Sequence, residues 1–328
     1  MMISYKKNLL LFLIMLLING CDQREDTLKN TMSNMVFVKG GTFEMGDFCL
    51  EKYGARCAIS KNNASIPIHS VTLDSFYMGK YKITYKEYDL YSSESGLPKL
   101  KIAEGFLKRY PKLRNDEFPA TANWQLSKDY CQWLANKSGL PFDLPTEAQW
   151  EYAARNRGLD IQYGTKDGHF TQGVTVPTYA QIKQYAGFSA GLYPVGKFPP
   201  NPLGLYDMAG NGQEWMRDWF SSNYYQQSPS HNPIGPDSGT EKSLRGFPAG
   251  DSLQDDATPT ATTMFRTGKE PLLKRVSLDI LEKSNGEPEK LLSLDPETNP
   301  QKIAFRGFVP TITFRCVINT QSLPEKYR

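Results

Sequence analysis

Histidine is scarce in this chain of 328 residues: only His69, His169 and His231 occur, and they lie far apart in sequence. No two of them stand at metal-ligand spacing and no HExxH is present, so a zinc protease has no support, and neither has an iron site built on clustered histidines. A glycine-rich phosphate loop is also missing. Cysteine is nearly as sparse, with Cys21, Cys49, Cys57, Cys131 and Cys316 and none at all between residues 247 and 315. The one marked apolar run, Leu9 to Leu17, falls short of the roughly 20 residues that a spanning helix needs. A net charge of only +3 gives no electrostatic case for nucleic acid.

What is present begins with a targeting pattern. Lys6 and Lys7 precede the apolar run, and small residues precede Cys21, which reads as a secretory signal peptide over residues 1–20. A cysteine directly after such residues resembles the lipobox of bacterial lipoproteins, and so predicts an acylated, palmitate-type anchor on Cys21. Several acyl chains make a stable tether, because each buried methylene contributes about 0.8 kcal/mol. Asp22 resembles the signal that retains lipoproteins in the inner membrane; without it the outer membrane is the destination, and either leaflet leaves the folded part facing the periplasm. Loss of residues 1–20 removes two lysines and no acids, which lowers the charge to +1. Residues 21–34 are polar and aperiodic, as a tether would be.

An envelope compartment permits disulfides, and four cysteines allow three pairings. Cys49 and Cys57 flank a short polar segment with Gly54, which favours a local closure. Cys131 in a helical pattern and Cys316 in an apolar run read as buried thiols, or as a second pair.

Along the chain, MVFVKGGTFEMGD from Met35 reads as strand, Gly40–Gly41 turn and strand. After an alternating stretch from His69, Thr84 with Glu87 three residues on makes a capping box and opens a helix. Leu126, Tyr130, Trp133 and Leu134 share one face of a further helix that Gly139 would stop. Thr146 with Gln149 repeats the capping spacing, and Trp150, Ala153 and Ala154 align behind it. Between Gly158 and Trp219 no long periodic stretch survives, so tertiary contacts or bound ions must hold that region. Motifs spread over residues 35–320 argue for one large domain, with an insertion at about 251–303 and a tail at 321–328.

The order of MVFVKGGTFEMGD, FYMGKYKITYKEY, NWQLSKDYCQWLANKSG, LPTEAQWEYAAR, LYDMAGNGQEW, SLRG and TFRCVI resembles the formylglycine-generating enzyme family, also called the sulfatase-modifying factor family. LPTEAQWEYAAR is the most specific of these. The resemblance implies an α+β fold, compact and irregular, related to C-type lectins, with little regular secondary structure. It implies a copper(I) ion held by two close cysteine thiolates after the stretch matching SLRG, where this chain has no cysteine. Soft thiolates are what copper(I) requires, so no copper is expected, and with the sparse histidines no iron. Phe247 and Pro248 stand where the family has small residues, and would fill the groove for a substrate peptide.

The resemblance also places a structural calcium at Gly210–Trp215, carried over to Asn211 and Glu214 with carbonyls near Gly210 and Gly212; hard oxygens suit that ion. The same residues would otherwise form a turn held by Asn211, with Glu214 in a salt bridge. A second family calcium is not expected, since Gly187 replaces its asparagine.

The expected function is a non-catalytic protein-binding module on a lipid anchor, such as a toxin-immunity protein or a scaffold in a secretion machine. Tyr206, Trp215 and Trp219, with Leu273 and Ile280 on an amphipathic stretch of the insertion, are its candidate partner surface. The competing class is a metal-dependent oxidoreductase with a rearranged site, which requires Cys316 to be an accessible thiol.

Overall fold

The computed structural model describes residues 28–58, 60–102, 104–187, 191–247, 260–271 and 311–327. Strands β1 (Met35–Val38) and β2 (Gly41–Met45) flank a tight turn. A Cβ on Gly40 would sit 2.3 Å from the Leu73 carbonyl oxygen, so the turn requires glycine. Helix α1 (Cys49–Tyr53) follows, then β3 (His69–Leu73), which pairs antiparallel with β2, and β4 (Phe76–Gly79), which pairs with β1.

Helix α2 (Tyr85–Glu94) opens on the expected box: Thr84 Oγ1 accepts from Glu87 N at 3.2 Å, and Glu87 returns the contact to Thr84 N at 2.8 Å. After the short α3 (Glu104–Arg109), helix α4 (Trp124–Ser138) is capped by Asn123 and ends at Gly139, whose φ of 73° is the left-handed stop glycine supplies. Strand β5 (Phe142–Asp143) leads into α5 (Glu147–Ala154), again with its capping box formed. All eight residues of α5 are buried, so this motif is the centre of the molecule rather than an amphipathic surface element.

Helix α6 (Tyr179–Ala186) lies where no periodic stretch was expected; Thr178 and Gln181 form its capping box, and only Ile182 and Ala186 are buried. Strands β6 (Gln213–Trp219), β7 (Lys242–Arg245), β8 (Arg266–Lys269), β9 (Ile312–Thr313) and β10 (Val317–Ile318) complete the sheets. One sheet runs β1-β4-β10-β5, the second is β2-β3, and the third runs β8-β7-β6-β9 with β6 and β9 parallel.

Two readings of the chain are corrected here. Met32 is buried in the core and Leu28 packs against it, so the domain begins inside the stretch read as tether. Part of the stretch read as insertion is also core: residues 266–269 pair with β7, and Thr262, Thr263, Met264 and Arg266 are buried. Leu273, Ile280 and the rest of that stretch lie outside the described residues, as do Cys21 and residues 1–20.

The main apolar cluster joins α2, α4 and the C-terminal strands through aromatic rings, with Tyr88 stacked on Tyr130 at 5.7 Å and Phe314 meeting Tyr130 edge-on at 5.5 Å. Each such buried ring contributes about 1.5–3 kcal/mol. A second cluster sits between α5 and the β2-β3 pair around Trp150. The sheets thereby fix the turn that precedes β6 and the buried face of α5, where the charged residues gather.

Candidate functional site

The turn before β6 places Asn211 and Gly212 at φ values of 59° and 94°. A Cβ on Gly212 would meet the Thr311 carbonyl oxygen at 2.5 Å, so only glycine fits there. The carbonyls of residues 210–212 converge on one cation, and that cation is Lys82. Its Nζ donates to Gly210 O at 2.9 Å, to Asn211 O at 3.3 Å and to Gly212 O, and lies 3.6 Å from Glu214 Oε1. Burial lowers the Lys82 pKa to about 8, against the opposing pull of Glu214.

Glu214 is claimed on both oxygens by Arg315, and Lys82, Glu214 and Arg315 all have fully buried side chains. Burial pushes the Glu214 carboxyl up, and Arg315 with Lys82 more than reverses this, so it titrates below the ordinary carboxylate range. The Asn211 amide is spent on the backbone of Tyr193, accepting from its N and donating to its O, each at 3.0 Å. Calcium takes six to eight oxygens at about 2.3–2.6 Å. Here the carbonyls of Gly210 and Gly212 face an ammonium, the Glu214 oxygens face a guanidinium, and the Asn211 oxygen faces an amide. As arranged, these residues do not fit a divalent ion; the turn with its salt bridge is what they form.

A second charged centre explains the LPTEAQWEYAAR motif. Glu147 and Glu151 stand four positions apart on α5, and Arg155, four further on, caps its C-terminal end. Arg266 donates to both oxygens of Glu147, at 2.7 and 2.6 Å, and Ser243 Oγ adds a third bond at 2.5 Å. Glu151 receives Arg155 at 2.9 Å, the Gly46 amide at 2.9 Å, and Arg245. Arg245 also donates to the carbonyls of Met264 and Phe265 at 3.1 and 3.0 Å. The motif is thus a buried clamp for arginines from β7 and β8: both carboxylates are hydrogen-bonded to arginine, while Arg245 Nε stands 3.7 Å from Glu147 Oε2 without a hydrogen bond. Asp218 stands beside it and accepts from Glu147 N at 3.1 Å; burial, and then Glu147, push its carboxyl up to about 8.

Four cysteines form two disulfides, Cys49–Cys57 and Cys131–Cys316, and Cys316 is 2% exposed. Phe247 is buried among Tyr163, Phe170, Tyr193 and Ala261, so its ring fills space rather than lining an open groove.

The aromatic candidates divide. Trp215 is fully buried, with its indole N–H donating to Ala122 O at 2.8 Å, and is withdrawn from the partner surface: it points into the main core from the middle of the sheet. Trp219 is half-buried with Lys242 over its ring at 3.8 Å, and Trp124 covers the same ammonium at 4.0 Å. Tyr206 is half-buried against Tyr81, ring to ring at 4.9 Å.

Sequence reasoning misses Lys82, Arg266 and Arg315 as site-forming residues, because their partners lie 101 to 132 positions away and no short motif links them, and it misses Arg155 although Glu151 stands four positions before it in the same motif. It also passes over GFSAG at residues 187–191, which spells a GxSxG nucleophile pattern. That pattern needs a strand before it, whereas Gly187 caps the end of α6; Ser189 lies outside the described residues.

The model of the sulfatase-modifying factor enzyme 1-like domain family matches residues 22–269. The chain is 30% identical over 241 residues to the serine/threonine-protein kinase pkn1 of Chlamydia caviae, covering 68% of this chain and 34% of that protein. The chain therefore spans about a third of the length of such kinase-named relatives. It is 26% identical over 254 residues to the formylglycine-generating enzyme of Streptomyces coelicolor, covering 64% of this chain and 77% of that enzyme. Among solved structures, PvdO from Pseudomonas aeruginosa superposes with a TM-score of 0.57 at 21% identity, over 87% of this chain and 94% of that one. Treponema denticola variable protein 1 gives 0.52 at 19% identity, over 87% and 95%. These two likenesses are likenesses of fold. With the family match covering most of the chain, this chain belongs to the sulfatase-modifying factor enzyme 1-like family.

Proposed function

We propose that the protein is a lipid-anchored envelope protein facing the periplasm, whose sulfatase-modifying-factor-like domain binds a protein partner and does not carry out thiol oxidation. The observation that carries this reading is the state of Cys316: buried and bonded to Cys131, with Cys49 and Cys57 bonded to each other. An oxidase built on copper(I) needs two free thiolates, and a rearranged one built on Cys316 needs that thiol accessible. The absence of cysteine from residues 247–315 and the ring of Phe247 packed beside Phe170 point the same way. Copper would have to be held without thiolates, and calcium would have to displace Lys82.

Tyr206 and Trp219 stay as candidates for the partner surface, as do Leu273 and Ile280 on the strength of their sequence pattern alone. A toxin, for an immunity protein, or a component of an envelope secretion machine is the class of partner in view. Membrane attachment is assigned to Cys21, at the inner membrane that Asp22 favours, with the outer membrane as the alternative.

The test uses the full chain expressed in a Gram-negative host and purified in detergent. Thiol counting on unfolding without reductant should find no free thiol from the four domain cysteines, and copper(I) should pass entirely to a competing chelator. Labelling with radioactive palmitate should be abolished by Cys21→Ser. Stoichiometric copper together with oxidation of a cysteine-containing peptide would sink the binding reading and install the oxidoreductase. Crosslinking through Tyr206 or Trp219 replaced by a photoreactive residue should trap one envelope protein.

A further inference from the structure

We infer that Lys82 is an internal cation standing where the 210–214 turn would otherwise need a metal ion, so that the domain is independent of divalent ions at this turn. Three carbonyl dipoles aimed at one point repel each other unless positive charge sits among them. In this chain the Lys82 ammonium meets the carbonyls of Gly210, Asn211 and Gly212 with its three protons and has Glu214 Oε1 3.6 Å away. Among the described residues no other cation donates to those carbonyls: Arg315 spends its donors on Glu214 and on the carbonyls of Gly79, Lys80 and Tyr206.

The lysine is delivered there by fixed backbone on both sides. Tyr206 N donates to Lys80 O at 3.0 Å, Ile83 N donates to Phe314 O at 2.9 Å, and Ala120 N donates to Ile83 O at 2.7 Å. Charge balance makes ammonium and dication exclusive. Lys82 and Arg315 already balance Glu214 and Asp207, the further acidic group within electrostatic reach, and although Asp207 Oδ1 is buried without a hydrogen bond, a calcium ion would add two charges to a set that is already neutral. Glycine at 212 keeps the turn close to Thr311, which holds the third carbonyl on the ammonium.

The experiment compares the full-length chain with Lys82→Met and Lys82→Ala, by thermal unfolding and calorimetric titration at pH 7, in 5 mM calcium chloride or in chelator. The unsubstituted chain is expected to unfold at the same temperature in both and to give no calcium-binding heat. Lys82→Met, which keeps the stem and removes the charge, should unfold about 10 °C lower in both, since three converging carbonyls lose their donor. Lys82→Ala opens the oxygen-lined space, and saturating calcium should raise its unfolding temperature by about 5 °C. Stoichiometric calcium binding by the unsubstituted chain overturns the inference, whatever the variants do. So does Lys82→Met unfolding at the original temperature, and so does a folded Lys82→Ala that is indifferent to calcium.

Discussion

Arg315 meets Glu214 through two parallel hydrogen bonds, Nε to Oε2 at 2.6 Å and Nη2 to Oε1 at 3.0 Å, across 101 residues of chain. The pair ties the start of β6 to the segment between β9 and β10. Removing the guanidinium leaves Glu214 buried with only Lys82. Arg315→Leu is expected to lower unfolding free energy by about 3–5 kcal/mol in urea titrations, and Arg315→Lys to recover only part of it because the planar fork is lost. A loss under 1 kcal/mol for Arg315→Leu would show that the pair is dispensable.

The two disulfides should differ in weight. Cys131–Cys316 closes 185 residues and Cys49–Cys57 closes 8. By loop-closure entropy the long bridge contributes about 5 kcal/mol and the short one about 2.5 kcal/mol. Paired serine substitutions, compared by urea unfolding, should reproduce that order; equal losses would mean that native packing, not chain entropy, sets the difference.

Asp218 gives the molecule a pH signature. Its carboxyl is pushed up to about 8 by burial and by Glu147, far above the unfolded value, so the folded state holds a proton that the unfolded state has released. Stability from this group is therefore full below pH 4 and declines as pH rises from about 4 to about 8. Asp218→Asn, still able to accept from Glu147 N, should flatten that slope and be at least as stable at pH 8. A variant with the parent's slope between pH 5 and pH 8 would assign the dependence to another group.

Phe247 is 2% exposed and packs edge-on against Phe170 at 6.3 Å between ring centres. Phe247→Ala should lower stability by about 3–4 kcal/mol through the cavity it leaves. An unchanged midpoint of unfolding would mean that the ring covers an open groove rather than filling a core.

Much of the scaffold was legible because it is written in local signals. The capping boxes at Thr84 and Thr146 and the stop at Gly139 form as the spacing implies. Helix α6 was missed for the opposite reason: two turns with Ile182 and Ala186 buried leave almost no periodic trace, though Thr178 followed by Gln181 signals its start. The site was less legible. Lys82 looks like any solvated lysine until the fold sets it among carbonyls from residues 210–212, and Trp215 looks like a recognition aromatic until its indole is seen to end on Ala122 O. Burial and partner are properties of three-dimensional neighbours that sequence spacing does not encode.

The seven residues 312–318 have a further meaning for how the chain comes together. β9 adds to one sheet and β10, four positions later, is the strand between β4 and β5 in another. A chain cut before residue 311 would lack a strand in each sheet, the Arg315 fork and the long disulfide at once. Until residues 312–318 are in place both of these sheets are one strand short, and that segment is a covalent link between them.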